Sequence, residues 1–131
     1  MFAIFVIIMA AAVADYRPIH IAEQKLKKSE ATLSLELQRN PDILSEVAAL
    51  KNGPFTVGFA AETENLEQHA REKLQKKGLD MIAANLVGED IAFESDENAL
   101  LVLTADDKQQ LATASKTVLG RKLIQLVAQK I

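Results

Sequence analysis

Met1-Phe2-Ala3-Ile4-Phe5-Val6-Ile7-Ile8-Met9-Ala10-Ala11-Ala12-Val13-Ala14 opens the chain without a charged side chain, and its reading decides the fold. Ala12-Val13-Ala14 imitates a signal-peptidase site, yet no lysine or arginine precedes the apolar run as a secretory leader requires. The run is also shorter than the roughly 20 apolar residues of a membrane helix. Phe2, Ile4, Phe5, Val6, Ile7 and Ile8 are β-branched or aromatic, the types that suit a strand buried on both faces. The stretch is therefore expected to be a central parallel strand. A cytoplasmic protein without membrane association follows from that reading; a secreted protein beginning at Asp15 is the competing one.

Working outward, 131 residues suffice for one domain with one core, and 49% hydrophobic with 25% charged residues is a globular balance. A net charge of −3, with lysines scattered among glutamates, argues against a nucleic-acid surface. The chain has no cysteine, which excludes disulfides, a thiolate nucleophile and zinc–thiolate sites. Its two histidines, His20 and His69, lie in different segments, so no transition-metal site is expected.

Tyr16-Arg17-Pro18 is expected to end the first element, because the residue before proline leaves the helical region. Ile19 to Ala31, with Lys25, Lys27 and Lys28, has no clean period and reads as a loop. Leu33, Leu35 and Leu37 alternate with polar residues, the pattern of a strand with one wet face. Asn40 caps and Pro41 opens a helix whose stripe is Ile43, Leu44, Val47 and Leu50, stopped by Asn52-Gly53-Pro54. Phe55 to Ala60 form a buried strand. Asn65, with Gln68 placed for a capping box, starts a second helix that Lys77-Gly78 closes. Leu79 to Asn85 are a third buried strand and Gly88 to Asn98 a polar loop around Phe93. Ala99 to Thr104 pair with a short return over Gln109 to Ala112, and Ser115 caps the last helix. Strands separated by such helices imply a three-layer α/β fold with a mostly parallel, Rossmann-like sheet and a small antiparallel hairpin.

In such sheets ligands bind beyond the carboxyl ends of the strands. Ala10 to Tyr16 and Gly58-Phe59-Ala60-Ala61-Glu62-Thr63 both place small residues there, where a ligand can approach the backbone, and then a carboxylate. Carboxylates after buried strands also cap the next element, and the sequence leaves both roles open. The amides of Asp42, Ile43 and Leu44 at a helix start are donors for a phosphate or base edge, or members of an ordinary cap. The lysines at 25, 27 and 28, and those at 73, 76 and 77, are either solvated faces or partners for an anion.

Ala11-Ala-Val-Ala-Asp-Tyr16, Lys25-Leu-Lys-Lys28, Asn40-Pro-Asp-Ile-Leu44, Gly58-Phe-Ala-Ala-Glu-Thr63, Ala84-Asn-Leu-Val87 and Phe93-x-Ser95-Asp96-x-Asn98 follow one another across nearly the whole chain. Their order and spacing resemble those of phosphopantothenate–cysteine ligases, and the bacterial form, often fused to the decarboxylase, looks nearest. The sequence departs from that family in carrying Leu86 where an aspartate is common. It also lacks the family's upstream Gly-rich nucleotide turn and asparagine-containing Ser-Ser-Gly segment.

The resemblance implies a single, partial ligase domain over residues 1–131, with its sheet incomplete at the amino end. It implies activation of the phosphopantothenate carboxylate by CTP, with Mg2+, to an acyl-cytidylate, and then amide formation with cysteine. Nucleotide contacts are implied for Met9, Ala10, Ala11, Asp15, Lys25, Pro41, Asp42, Ile43, Leu44, Phe59, Lys73 and Lys77. Lys25 would be catalytic and Asp15 would face the nucleotide or its metal. No flavin is expected in this segment. A homodimer or larger assembly is expected through Leu33 to Gln38 and Ala99 to Thr104, as is fusion or association with the decarboxylase, with weak or absent ligase activity for this length of chain. A non-catalytic Rossmann-like nucleotide-binding or interaction module is the alternative.

Overall fold

A computed structural model describes residues 5–26, 31–88 and 96–131. The expected strand residues Phe2 and Ile4, the lysines at 27 and 28, and Phe93 and Ser95 lie outside the described residues. The elements run β1 (Val6–Met9), β2 (Tyr16–Pro18), β3 (Leu37–Arg39), α1 (Ile43–Ala48), β4 (Phe55–Glu62), α2 (Leu66–Lys77), β5 (Met81–Leu86), β6 (Glu97–Leu103), β7 (Lys108–Ser115) and α3 (Lys116–Ala128). They form two compact units, one comprising the residues up to Ala10 with Leu44–Ile131, the other Ala11–Ile43.

The larger unit is a five-stranded sheet in the order β1-β4-β5-β6-β7. β1 pairs with β4 and β4 with β5 in parallel, whereas β6 is antiparallel to both its neighbours. Only β6 therefore runs against the rest, and the sheet is mostly parallel. Alternate residues divide between its faces, as the two-residue period of a strand demands. Ile7, Met9, Ala60, Ile82, Ala84, Leu101 and Leu103 pack against Leu44 of α1 and Leu66, Ala70 and Leu74 of α2. Val6, Ile8, Val57, Met81, Ala83, Leu100 and Val102 pack on the other face with Leu119, Leu123 and Val127 of α3. This is the expected three-layer α/β arrangement. Leu74 sits in the core of the first face, where truncation to Ala costs about 2–5 kcal/mol.

Several local expectations are corrected. β1 is parallel but lies at the edge of the sheet, not its centre, and Phe5 just before it is 76% exposed. Among the described residues no strand pairs with its outer side, and Val6–Met9 is only half-buried. Tyr16–Pro18, expected to end regular structure, instead forms β2 and pairs antiparallel with β3. Proline is tolerated because the ribbon is all edge and needs few ladder donors. The alternation at Leu33, Leu35 and Leu37 does not mark a strand with a buried face: only Leu37 enters β3, and all three leucines are exposed.

The first helix begins at Ile43, two residues beyond Pro41. Asn40 does not cap it, because its side chain is occupied elsewhere. Its Nδ2 donates to the Ala14 carbonyl at 2.7 Å, and its Oδ1 accepts from Arg17 Nη1 at 2.7 Å. Asn40 thereby closes the β2–β3 ribbon, where its backbone N–H also donates to Asp15 O. Ile43 and Leu50, expected on the apolar stripe, are exposed; Leu44 alone of the stripe is buried.

The capping box at α2 is likewise absent. Asn65 is left-handed at φ 47°, makes no side-chain cap, and Gln68 Nε2 donates to Glu72 instead. The expected stop does form: Gly78, at φ 65°, donates its N–H to the carbonyls of the last turn. Ser115 Oγ accepts from Val118 N–H and caps α3 as expected. The return strand is longer than Gln109 to Ala112, running Lys108–Ser115. It pairs with one side of β6 while β5 takes the other over Leu101–Leu103, so these three residues have no free edge for a second subunit. Among the described residues no helix is long and apolar enough to cross a membrane.

Candidate functional site at the strand exits

β4 and β5 end side by side, Glu62 opposite Leu86, while β1 stops four residues short of them with Met9 opposite Gly58. The small residues at this edge serve two different ends. Gly58 and Ala60 face the helices: a Cβ at Gly58 would lie 2.7 Å from Leu79 Cδ1 and 3.2 Å from Leu44 Cδ2. The close approach read there from the sequence is therefore that of helix to sheet, not of ligand to backbone. Ala61 is exposed, and so is Phe59, at 41%. Phe59 shares the sheet face of Val57, and continuing the β1–β4 register by one residue sets exposed Ala10 beside it. An aromatic ring open to solvent beside alanines is an apolar platform at the end of the strands where α/β folds take ligands.

On the opposite face of the same edge stands a charged cluster. Glu62 ends β4, and its side chain is 12% exposed. Oε1 lies 2.5 Å from Lys73 Nζ and Oε2 lies 3.3 Å from His69 Nδ1. The two partners come from one face of α2, being four residues apart. A carboxylate withdrawn from water needs such partners, and this one has a cation on each oxygen when His69 is protonated. Leu86 is opposite Glu62 in the β4–β5 register and exposed, so the position where the resembled family carries aspartate adjoins this carboxylate.

The remaining expected residues are placed as follows. Met9 ends β1 and is partly buried against the core cluster that includes Leu44 and Leu74. Lys77 ends α2, about 6 Å along the axis from Lys73, four residues before β5 begins. In the smaller unit Ala11, Asp15, Lys25, Pro41, Asp42 and Ile43 are all exposed, and Asp15 stands immediately before β2. Leu44 is a core residue through its side chain. Asp96 accepts the Lys116 N–H through its carbonyl, and Asn98 Oδ1 accepts from Ala99 N–H. Among the described residues no group of three or more His, Asp or Glu could cage a metal ion.

Glu62 is legible in the sequence as an acid after a strand, but neither its partners nor a role for His69 is. The i, i+4 spacing of His69 and Lys73 was visible. That the strand end meets that helix face was not, because it depends on where α2 lies over the sheet. Two surface depressions, of about 160 and 450 Å³, lie elsewhere, among residues that include Met81 and Thr104 in one and Phe55 and Asp80 in the other.

Residues 3–131 match the family described as DNA/pantothenate metabolism flavoprotein C-terminal domain. The coenzyme A biosynthesis bifunctional protein CoaBC of Haemophilus influenzae is 46% identical over 95% of this chain and 32% of its own length. The protein of the same name from Escherichia coli is 44% identical over 91% of this chain and 30% of its own. The chain thus spans about a third of the length of the curated relatives it matches. A crystal structure of the C-terminal domain of a CoaBC protein superposes with a TM-score of 0.73 at 31% identity, covering 96% of this chain and 54% of that one. A Streptococcus pneumoniae protein with the flavoprotein description shares the fold, at TM-score 0.65 and 22% identity, over 96% of this chain and 61% of its own.

Proposed function

Because the chain belongs to the DNA/pantothenate metabolism flavoprotein C-terminal domain family, we propose that it is the carboxyl-terminal portion of a phosphopantothenate–cysteine ligase serving coenzyme A biosynthesis. The observation that carries this reading is the strand-exit edge, where exposed Phe59 and the ion-paired Lys73 stand at the end of parallel strands. The two lie on opposite faces of the sheet, so a nucleotide crossing the strand ends is proposed to set its ring system on Phe59 and a phosphate toward Lys73.

The reaction proposed has two steps. The carboxylate of phosphopantothenate attacks the α-phosphorus of CTP, forming an acyl-cytidylate and releasing pyrophosphate. The amine of cysteine then attacks the acyl carbon, giving the amide and CMP. Neither step needs a protein nucleophile; both need charge stabilisation and alignment. A chain without cysteine suits such chemistry.

Lys25 is the residue proposed to meet charge developing on phosphate. Lys73 and Lys77, four apart on α2, are proposed for the polyphosphate. Met9, Ala10, Ala11, Pro41, Asp42, Ile43 and Leu44 are proposed to contact the nucleotide, as is Phe59 through its ring. Magnesium, when bound with the triphosphate, neutralises phosphate charge. With no three-ligand cage among the described residues, the donor set fits a hydrated ion carried by the nucleotide and touched by one carboxylate, Asp15. The exposed leucines at 33, 35 and 37 are proposed to mediate a homodimer, and association with a decarboxylase portion follows the relatives' bifunctional names. A cytoplasmic setting belongs to the same reading.

Isothermal titration of the 131-residue chain with CTP and magnesium tests the nucleotide half, with micromolar to millimolar binding expected. Joining the chain to the upstream part of a relative and measuring cysteine-dependent pyrophosphate release tests the ligase half. Absence of nucleotide binding in both forms would leave a non-catalytic interaction module as the better reading.

A further inference from the structure

We propose that Glu62 is a positioning residue that holds the Lys73 ammonium at the strand-exit edge for a nucleotide phosphate. The inference rests on the nucleotide reading above and assigns a role to a residue outside it. Lysine carries its charge on a flexible four-carbon stem, and fixing that stem at the moment of binding costs entropy. Here the stem is fixed beforehand. Glu62 is nearly buried on a strand that two neighbours hold, and its Oε1 lies 2.5 Å from Lys73 Nζ. His69 lies beside Oε2, which leaves Oε1 to Lys73. An ammonium has three donors, and the Lys73 side chain remains 46% exposed, so donors are left for an anion.

The charge of Glu62 alone makes the opposite forecast. A carboxylate beside a phosphate site repels the phosphate, so its removal should tighten binding. Holding Lys73 in place makes its removal weaken binding. The sign of the effect separates the two.

Affinity for magnesium–CTP is measured by titration calorimetry on the 131-residue chain and on Lys73→Ala, Glu62→Gln, Glu62→Asp and the Lys73→Ala/Glu62→Gln pair, with thermal melting as the folding check. Glu62→Gln is expected to weaken binding about tenfold, the scale of one charge-assisted hydrogen bond. Glu62→Asp, which keeps the charge but withdraws it by one methylene, is expected to weaken binding as well. The double variant is expected to be no weaker than Lys73→Ala, since both changes remove one interaction. Without nucleotide, the Lys73 ammonium protons are expected to give an NMR signal that Glu62→Gln abolishes.

Equal or tighter binding by Glu62→Gln, while Lys73→Ala is weak, overturns the positioning role and leaves the nucleotide reading standing. So does a missing Lys73 signal in the unaltered chain. Unchanged affinity in Lys73→Ala, or no binding by the unaltered chain, overturns the nucleotide reading at Lys73 and this inference with it.

Discussion

At the scale of single residues, polar side chains set the register of the sheet and the proposed site alike. Thr56 is 1% exposed. Its N–H and hydroxyl both donate to Asp80 Oδ2, at 2.7 and 2.9 Å, and its hydroxyl oxygen accepts from the Asp80 N–H at 3.2 Å. This closed exchange ties the start of β4 to the entry of β5. Asp80→Ala leaves two buried donors without partners and is expected to lose about 1–3 kcal/mol in urea denaturation. A variant as stable as the parent would show that water replaces the carboxylate. Lys25 belongs to function at the same scale. In a chain joined to the upstream part of a relative, Lys25→Ala is expected to lower turnover by about 10²–10³ while nucleotide affinity changes less. Unchanged kinetics would return Lys25 to an exposed loop lysine.

At the scale of elements, α2 carries both a firm stop and a pH-dependent brace. Gly78 adopts φ 65°, and a Cβ there would meet nothing within 4 Å. The cost of Gly78→Ala is therefore conformational alone, about 1 kcal/mol, read as a lowered midpoint of thermal unfolding. Near the helix start, Glu67 receives Lys108 Nζ at 2.9 Å and Arg71 Nη2 at 3.2 Å. The Lys108 hydrogen bond first, and Arg71 second, hold the Glu67 carboxyl below its ordinary range. A lowered folded-state pKa stabilises the fold above the unfolded value and loses that contribution as pH falls through the folded one. Glu67→Gln is therefore expected to trail the parent modestly at neutral pH, the gap closing below about pH 4. A gap that widens on acidification would contradict the brace.

At the scale of the whole molecule, large apolar side chains stay exposed in both units. The smaller unit shows Ile21, Leu33, Leu35 and Leu37 to solvent, and β1 keeps an outer edge with no pairing partner among the described residues. Unpaired edges and apolar ribbons favour association. Sedimentation velocity is expected to show dimers or larger species, and Leu33→Glu with Leu35→Glu to shift them toward monomer. A monodisperse monomer for the unaltered chain would remove the proposed dimerisation role. Proteolysis or hydrogen exchange should find the larger unit, with its two-sided core, better protected than the ribbon.

The sequence by itself determined the elements whose causes are local. The cap at Ser115, the left-handed stop at Gly78 and the buried runs of β4 and β5 all follow from neighbours a few residues apart. Alternation of helix and strand then led to a three-layer, mostly parallel sheet. Ordered motifs led to the family. Tertiary structure decided what depends on partners distant in the chain. Asn40 became a clasp because Ala14 and Arg17 come within reach of it. The alternating leucines became an exposed ribbon because no core lies beneath them, and Gly58 became a seat for Leu79 and Leu44. The Glu62–His69–Lys73 cluster belongs to the same class. Its members lie on two elements, and a charge finds its partner only once packing has fixed where those elements meet.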